Sequence, residues 1–324
     1  MSCNLCFVVN SSLEALHALW TFYGASGFTC DTPKMILRRS ALTSVPLFFV
    51  GAAFAKDGDA QAEATSLLGR KLYALSDSDG AVQAAKAKLE GDPKNPSLAV
   101  ALSKAQAGKR QYREAVATCT AALALAPKNS DLYIERGHRR LGLREFRAAL
   151  ADLTRAAELD PKQLDAHYHR GLAFYFLRQF GNAAQSFGRA LDLAQSEDSL
   201  IDCSNWQYVS LRRDRKPEDA ARVLARITPD VHNTEPHLLF YLKLLHFYQG
   251  KVTEAEILPA KPLGMNDVEA ELSFNTINYG IGNWHLYNAD GGHAVRFFQA
   301  ATSGSAWNSW GFVASELELA GGPG

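Results

Sequence analysis

The stretch "LDAHYHRGLAFYFLRQFGNAAQSFGRALDLAQ", Leu164 to Gln195, decides the fold. Gly171 and Ala183 are small residues where two helices can cross closely, and Phe174, Phe180 and Phe187 recur at helical spacing to fill the volume beside that crossing. Taken alone, such a hairpin cannot bury its apolar face. It needs neighbours of the same kind, and the sequence supplies them.

Registers placed at Ala62, Pro96, Ser130 and Leu164 align four windows of 34 residues without a gap. The eighth position reads Gly69, Ser103, Gly137 and Gly171, and the twentieth reads Ala81, Ala115, Ala149 and Ala183. Large or apolar residues follow the same beat: Tyr112, Phe146 and Phe180 at position 17 (Ser78 in the first window), and Cys119, Leu153 and Phe187 at position 24 (Ala85 in the first). Pro93, Pro127 and Pro161 close the first three windows, and Gln195 stands in that place in the fourth. Proline cannot continue the preceding helix, so it marks the passage to the next repeat.

These residues resemble the tetratricopeptide repeat, whose two helices need small residues where they cross and large ones that interlock beside them. The fold class expected is all-α, a right-handed superhelix of antiparallel helix pairs. The repeats occupy 62–95, 96–129, 130–163 and 164–197, within a regular region 56–195. After Gln195 the phase slips, and 198–304 reads as degenerate hairpins: one around "WQYVSLRR", one ending its first helix at Gly250, and one with Gly282, Ala294, Phe298 and Ala301 in register. Residues 305–320 read as an amphipathic helix capping the array.

The N-terminal part carries a different signal. "MILRRSALTSVPLFFVGAAFAK" has Arg38 and Arg39, an apolar run from Ala41 to Val50, and an A-x-A exit at Ala53 to Ala55, the three parts of a secretory signal. Counted from Met35 it is 21 residues long, an ordinary length, so Met35 is read as the start, 1–34 as upstream sequence and 35–55 as a signal peptide. A short buried helix or an internal anchor are the other readings. No run reaches the roughly 18 apolar residues that would span a bilayer, so stable membrane insertion is not expected. Cys3, Cys6 and Cys30 fall in the upstream segment; Cys119 and Cys203 fall in helices of different repeats and are expected as buried thiols, not a bridge.

With 34 basic and 34 acidic residues the net charge is zero, which argues against nucleic acid. Arg136, His138, Arg139, Arg140 and Arg144 crowd one helix; flanked by Glu135 and Glu145, they read as a solvated face or as a site for an acidic protein ligand. No catalytic motif is present. "YGIGNW" lacks the rest of a nucleotide fingerprint, and His167 and His169, two apart on a helix, point in opposing directions. No cofactor or metal is expected, and the chain is read as non-catalytic.

In repeats of this kind one stripe of the first helix lines a concave groove. It yields Ile134, His138 and Leu141 from one repeat, and Tyr168, Leu172, Tyr175 and Phe176 from the next. Aromatic residues there suit a protein or peptide ligand, or else pack on a neighbouring helix. The lysine and asparagine clamp of repeat proteins that grip acidic C-terminal peptides is absent, since Ile134, His138, Tyr168 and Leu172 hold its places. The layout also resembles the NlpI type of periplasmic repeat protein, which implies an adaptor of the cell envelope; Lys56 stands where that type has a lipid-bearing cysteine, so no lipid anchor is implied. Two other functions stay open: a hydrolase with its site around Trp206, Asn283, Trp284 and His285, or an intracellular co-chaperone if the signal is unused. Oligomeric state is not legible.

Overall fold

A computed structural model describes residues 62–235, 238–258 and 268–321, the side chains of 268 and 269 excepted. The signal segment at 35–55, the upstream segment with Cys3, Cys6 and Cys30, and Lys56 lie outside the described residues. Fourteen helices lie among the described residues, with one two-stranded antiparallel hairpin, β1 (Ala64–Thr65) and β2 (Lys71–Leu72).

Three of the four repeat windows become helix pairs: α2 (Pro96–Gly108) with α3 (Tyr112–Leu125), α4 (Ser130–Gly142) with α5 (Phe146–Leu159), and α6 (Leu164–Phe176) with α7 (Phe180–Asp192). The first window, 62–95, departs from expectation. It contributes a single helix, α1 (Ala81–Gly91), because its first half forms the β-hairpin and an extended segment. Gly69 shows why: it sits at φ +83° in the hairpin turn, with nothing within 4 Å of where a side chain would begin, so it separates no helices.

In the true pairs the eighth position meets position 24, sixteen residues on. A Cβ on Gly137 would lie 2.6 Å from Leu153, and one on Gly171 would lie 2.7 Å from Phe187. Hydrogen atoms take the place of side chains there so that a large apolar group can seat against the backbone. Ser103 and Cys119 make the same pairing with a smaller knob in a shallower hole, both fully buried.

A second regularity lies in the turns. Arg110, Arg144 and Arg178, spaced 34 apart, all adopt left-handed backbone at φ +55°, +68° and +59°. After each, the next residue's N–H bonds back to a carbonyl five residues earlier: Gln111 to Gln106, Glu145 to Arg140, Gln179 to Phe174. This is the helix-terminating Schellman arrangement. It recurs in the irregular half at Arg215, Gly250 and Ala289, with bonds from Lys216 to Leu211, Lys251 to His246 and Asp290 to His285.

The remaining elements follow from those turns. They are α8 (Glu197–Arg213) with α9 (Pro217–Leu224), α10 (Leu239–Tyr248) with the single turn α11 (Glu254–Ile257), and α12 (Val268–Tyr287) with α13 (Gly291–Ala301). In the last pair a Cβ on Gly282 would lie 2.7 Å from Phe298, the same sixteen-residue pairing. The drift in sequence therefore loosened the lengths and kept the hairpin. The chain is an all-α solenoid of tetratricopeptide-type helix pairs.

The final helix, α14 (Trp310–Leu319), does not close the end of the stack. Gly311 through Leu317 are all buried, and the helix packs on α12, α13 and α6 in the middle of the molecule. A Cβ on Gly311 would stand 2.4 Å from the backbone oxygen of Asn275, so α14 lies against the bare backbone of α12. The β-hairpin also reaches this region: Leu72 and Ala64 share a small core with Tyr112, Trp307 and Phe312. Cys119 and Cys203 are buried free thiols.

Candidate functional site

The site is built around what α14 does to the stripe that faces it. Three left-handed arginines reach the C-terminal segment. Arg110 donates to the carbonyl of Ser305 at 2.7 Å; Arg144 donates to Glu316 through Nε and Nη2 (3.0 and 2.7 Å) and to the carbonyl of Trp307 (2.9 Å); Arg178 donates to Glu318 at 3.3 Å. Arg213 joins them with a 2.6 Å bond to the other Glu318 oxygen. Non-glycine residues in this backbone region are strained by about 1–2 kcal/mol. Here the conformation aims each guanidinium at the same helix or the loop before it.

Arg144 and Glu316 are the most deeply placed pair, with side chains 4% and 0% exposed. Burial pushes the Glu316 carboxyl up from its usual range and the guanidinium down, each held partly in check by the other's charge. The remaining arginines of the basic helix are also matched within the chain: Arg136 and Arg140 both bind Asp152, and Arg139 binds Glu135 at 2.7 Å. The cluster is neither a solvated face nor a free anion site, since its carboxylates are the chain's own.

Of the seven stripe residues expected to face a ligand, six are buried: Ile134, Leu141, Tyr168, Leu172, Tyr175 and Phe176 are 0–6% exposed, and only His138 is half-buried. Tyr175 bonds to the hydroxyl of Tyr279, accepts from Asn283 Nδ2 at 3.3 Å and sits edge-on to Trp206; burial pushes its hydroxyl up to about 12. Phe176 lies 5.9 Å from Trp310. The groove that repeats alone would leave open is occupied by α12 and α14, which sequence reasoning placed at the end of the array.

His138 and Tyr168 keep a different role. They border a cleft of about 590 Å³, together with His169, Asp202, Tyr241 and Trp310. His138 and His169, from successive repeats, stack at 4.3 Å, with Trp310 5.1 Å from His138. Burial lowers both imidazoles, so at neutral pH they are uncharged. Tyr168 donates to Asp202 Oδ1 at 2.7 Å, and burial without a cation pushes the Asp202 carboxyl up to about 7. Asp165, Asp198 and Glu235 add carboxylates to the rim, against Lys104 and Arg139, and Arg139 already serves Glu135. A second depression of about 600 Å³ between α7, α8 and α9 touches none of the seven.

The hydrolase quartet does not converge. Trp206 is 1% exposed and stacks on Tyr279, Asn283 serves Tyr175 and Arg213, Trp284 packs on Phe247, and His285 faces Glu254. Asp202 was missed although it stands 34 residues after Tyr168, because the repeat motif degrades after Gln195; His138 was among the seven, and its contact with His169 was not legible because the two rings come from different helices. The arginine beat at 110, 144 and 178 was visible in the sequence, but nothing in it names α14 as the partner.

No family model matches the chain, and no curated protein is similar to it. Among solved structures, it is similar to a tetratricopeptide repeat protein from Parabacteroides merdae, at 18% identity over 73% of this chain and 91% of that one, with a TM-score of 0.45. It is also similar to MamA, at 18% identity over 54% of this chain and 91% of that one (TM-score 0.41), and to MamA from Desulfovibrio magneticus at 21% identity over 46% and 82% (TM-score 0.40). The fold rests on the chain's own helix pairs, three of which repeat at 34 residues, two of those three seating a large side chain on a glycine sixteen residues before it.

Proposed function

We propose that this chain is a non-catalytic protein-binding scaffold whose cleft takes a basic segment of a partner, seating a lysine or arginine side chain beside Asp202. The observation that carries the reading is Asp202 itself. Its carboxyl is held up to about 7 by burial, its hydrogen bond comes from a neutral phenol, and Tyr168 and Tyr241 stand beside it, with Trp310 lining the same cleft. A partner cation would supply the charge that burial demands, and the rings would add cation–π and apolar contact. Work in the cell envelope is part of the same proposal, supported by the arginine-led apolar run and its A-x-A exit at 35–55.

The sign of the pH dependence follows. A cation binds the ionised carboxylate, so affinity should rise as pH passes upward through about 7, while a neutral ligand would show no such step. Fluorescence polarisation with labelled lysine- and arginine-bearing peptides, and glutamate-substituted copies, tests this at pH 6 and pH 8. Basic peptides should bind and acidic copies should not; Asp202→Asn should weaken binding roughly tenfold at pH 8, about 1.4 kcal/mol. Equal binding of both peptide sets, or an unaffected Asp202→Asn, would defeat the reading. For the location, N-terminal sequencing of protein recovered from the envelope fraction should begin at Lys56.

A further inference from the structure

The turn between α12 and α13 reads "HLYNADGGH", His285 to His293, and the fold draws its three ligating residues together. His285 sits in the last turn of α12, Asp290 caps α13, and His293 is the third residue of α13. One ligand atom from each lies within 4.8 Å of the others. Asp290 divides its two oxygens: Oδ1 accepts from the backbone N–H of His293 at 3.3 Å and so caps the helix, while Oδ2 faces Nδ1 of His293 at 2.6 Å and Nδ1 of His285 at 3.3 Å.

The His285 ring is fixed on every side. Its Nε2 lies 2.8 Å from Glu254 Oε2 on α11, and its plane stacks on Phe297 (5.5 Å, 10°) and on His293 (5.3 Å, 25°). A neutral imidazole carries one N–H, yet both ring nitrogens of His285 face carboxylates. With the N–H on Nε2 donating to Glu254, Nδ1 presents a lone pair toward Asp290 Oδ2 and Nδ1 of His293. A carboxylate holding the outer nitrogen of a histidine whose inner nitrogen meets a metal is how metal-binding histidines are oriented. Ligand atoms around a tetrahedral ion bonded at ~2.0–2.1 Å stand roughly 3.3–3.5 Å apart, which is the His285–Asp290 spacing, while the 2.6 Å Asp290–His293 contact is a hydrogen bond that an ion would replace by widening it less than about 1 Å.

We propose that His285, Asp290 and His293 bind one divalent transition-metal ion of the zinc class, with Glu254 as the positioning carboxylate and the fourth coordination place open to solvent. Two imidazoles and one carboxylate favour zinc, cobalt or nickel over calcium or magnesium, which call for oxygen ligands. His293 and Asp290 are 52% and 42% exposed at the side chain, and nothing lies within 4 Å of a Cβ placed on Gly291 or Gly292, so an ion has an entry path. Bound there, it would tie α11, α12 and α13 together.

The test is calorimetric titration of the full chain with ZnCl2, paired with cobalt(II) absorption spectra. The expected result is a site with nitrogen and oxygen ligation, without a thiolate charge-transfer band, that raises the melting temperature. His293→Gln, at a half-exposed position, should lower zinc affinity at least about 100-fold, Asp290→Asn should lower it while keeping the helix cap, and Glu254→Gln should lower it about 10- to 100-fold. Melting curves without metal show whether each variant folds like the parent. CaCl2 and MgCl2 should give no heat. Zinc binding undiminished in the folded His293→Gln and Asp290→Asn variants, cobalt bound through thiolate alone, or no binding by the parent chain would each overturn the proposal.

Discussion

Arg215 shows what a left-handed residue costs when nothing uses it. Arg110, Arg144 and Arg178 share its backbone conformation, but their guanidinium groups bind the C-terminal segment, whereas the Arg215 side chain is exposed. Glycine adopts that conformation without the steric penalty, at the price of greater freedom in the unfolded chain. Arg215→Gly should therefore stabilise the protein by about 0.5–1 kcal/mol, read as a higher urea midpoint, while the same change at Arg144 should destabilise it. Tyr175 illustrates the opposite case: its hydrogen bonds to Tyr279 and Asn283 and its ring contact with Trp206 mark it as core, although its position on the repeat stripe reads as a ligand contact.

At the level of the helix pair, the contact between positions 8 and 24 carries the repeat. Gly171 gives Phe187 its seat, with the ring 2.7 Å from where a methyl would go, and Phe187 is fully buried, so neither can retreat freely. Gly171→Ala should cost about 1–3 kcal/mol by overpacking. Gly108 ends α2 with nothing within 4 Å, and Gly108→Ala should stay within about 0.5 kcal/mol. Thermal or urea unfolding of the pair separates a packing glycine from an incidental one. The same logic explains why the first window misled: Gly69 has the right phase and composition, but without a helix around it the pattern has nothing to pack.

Across the whole molecule, the groove of the stack is filled by the chain's own C-terminal segment. Arg70 donates to the carbonyl of Gly304 at 2.8 Å, the Trp307 indole donates to the carbonyl of Tyr73 at 3.1 Å, and Arg144 meets Glu316 in the interior. Removing one partner of a buried ion pair strands the other's charge, which typically costs about 3–5 kcal/mol. Arg144→Ala should lose stability on that scale, and Arg144→Ala with Glu316→Ala should recover much of it. A double-mutant cycle in urea checks this, and an uncoupled pair would show that α14 is held by packing alone.

The helix pairs were determined locally, because small and large residues at fixed spacing allow one way of nesting and prolines and turn residues punctuate it. That is why α2 through α7 could be placed from sequence, and why two of the degenerate pairs could be recognised by surviving glycines, Gly250 and Gly282. What fills the hollow could not. The covering of Tyr175 by α12 and α14 and the pairing of Arg144 with a carboxylate 172 residues away depend on contacts between segments whose separation carries no periodic trace, whereas Tyr168 and Asp202, 34 residues apart, meet on the repeat's own beat. Burial of an apolar stripe is demanded by physics in either case, and only the tertiary structure decided that the chain itself would cover most of it.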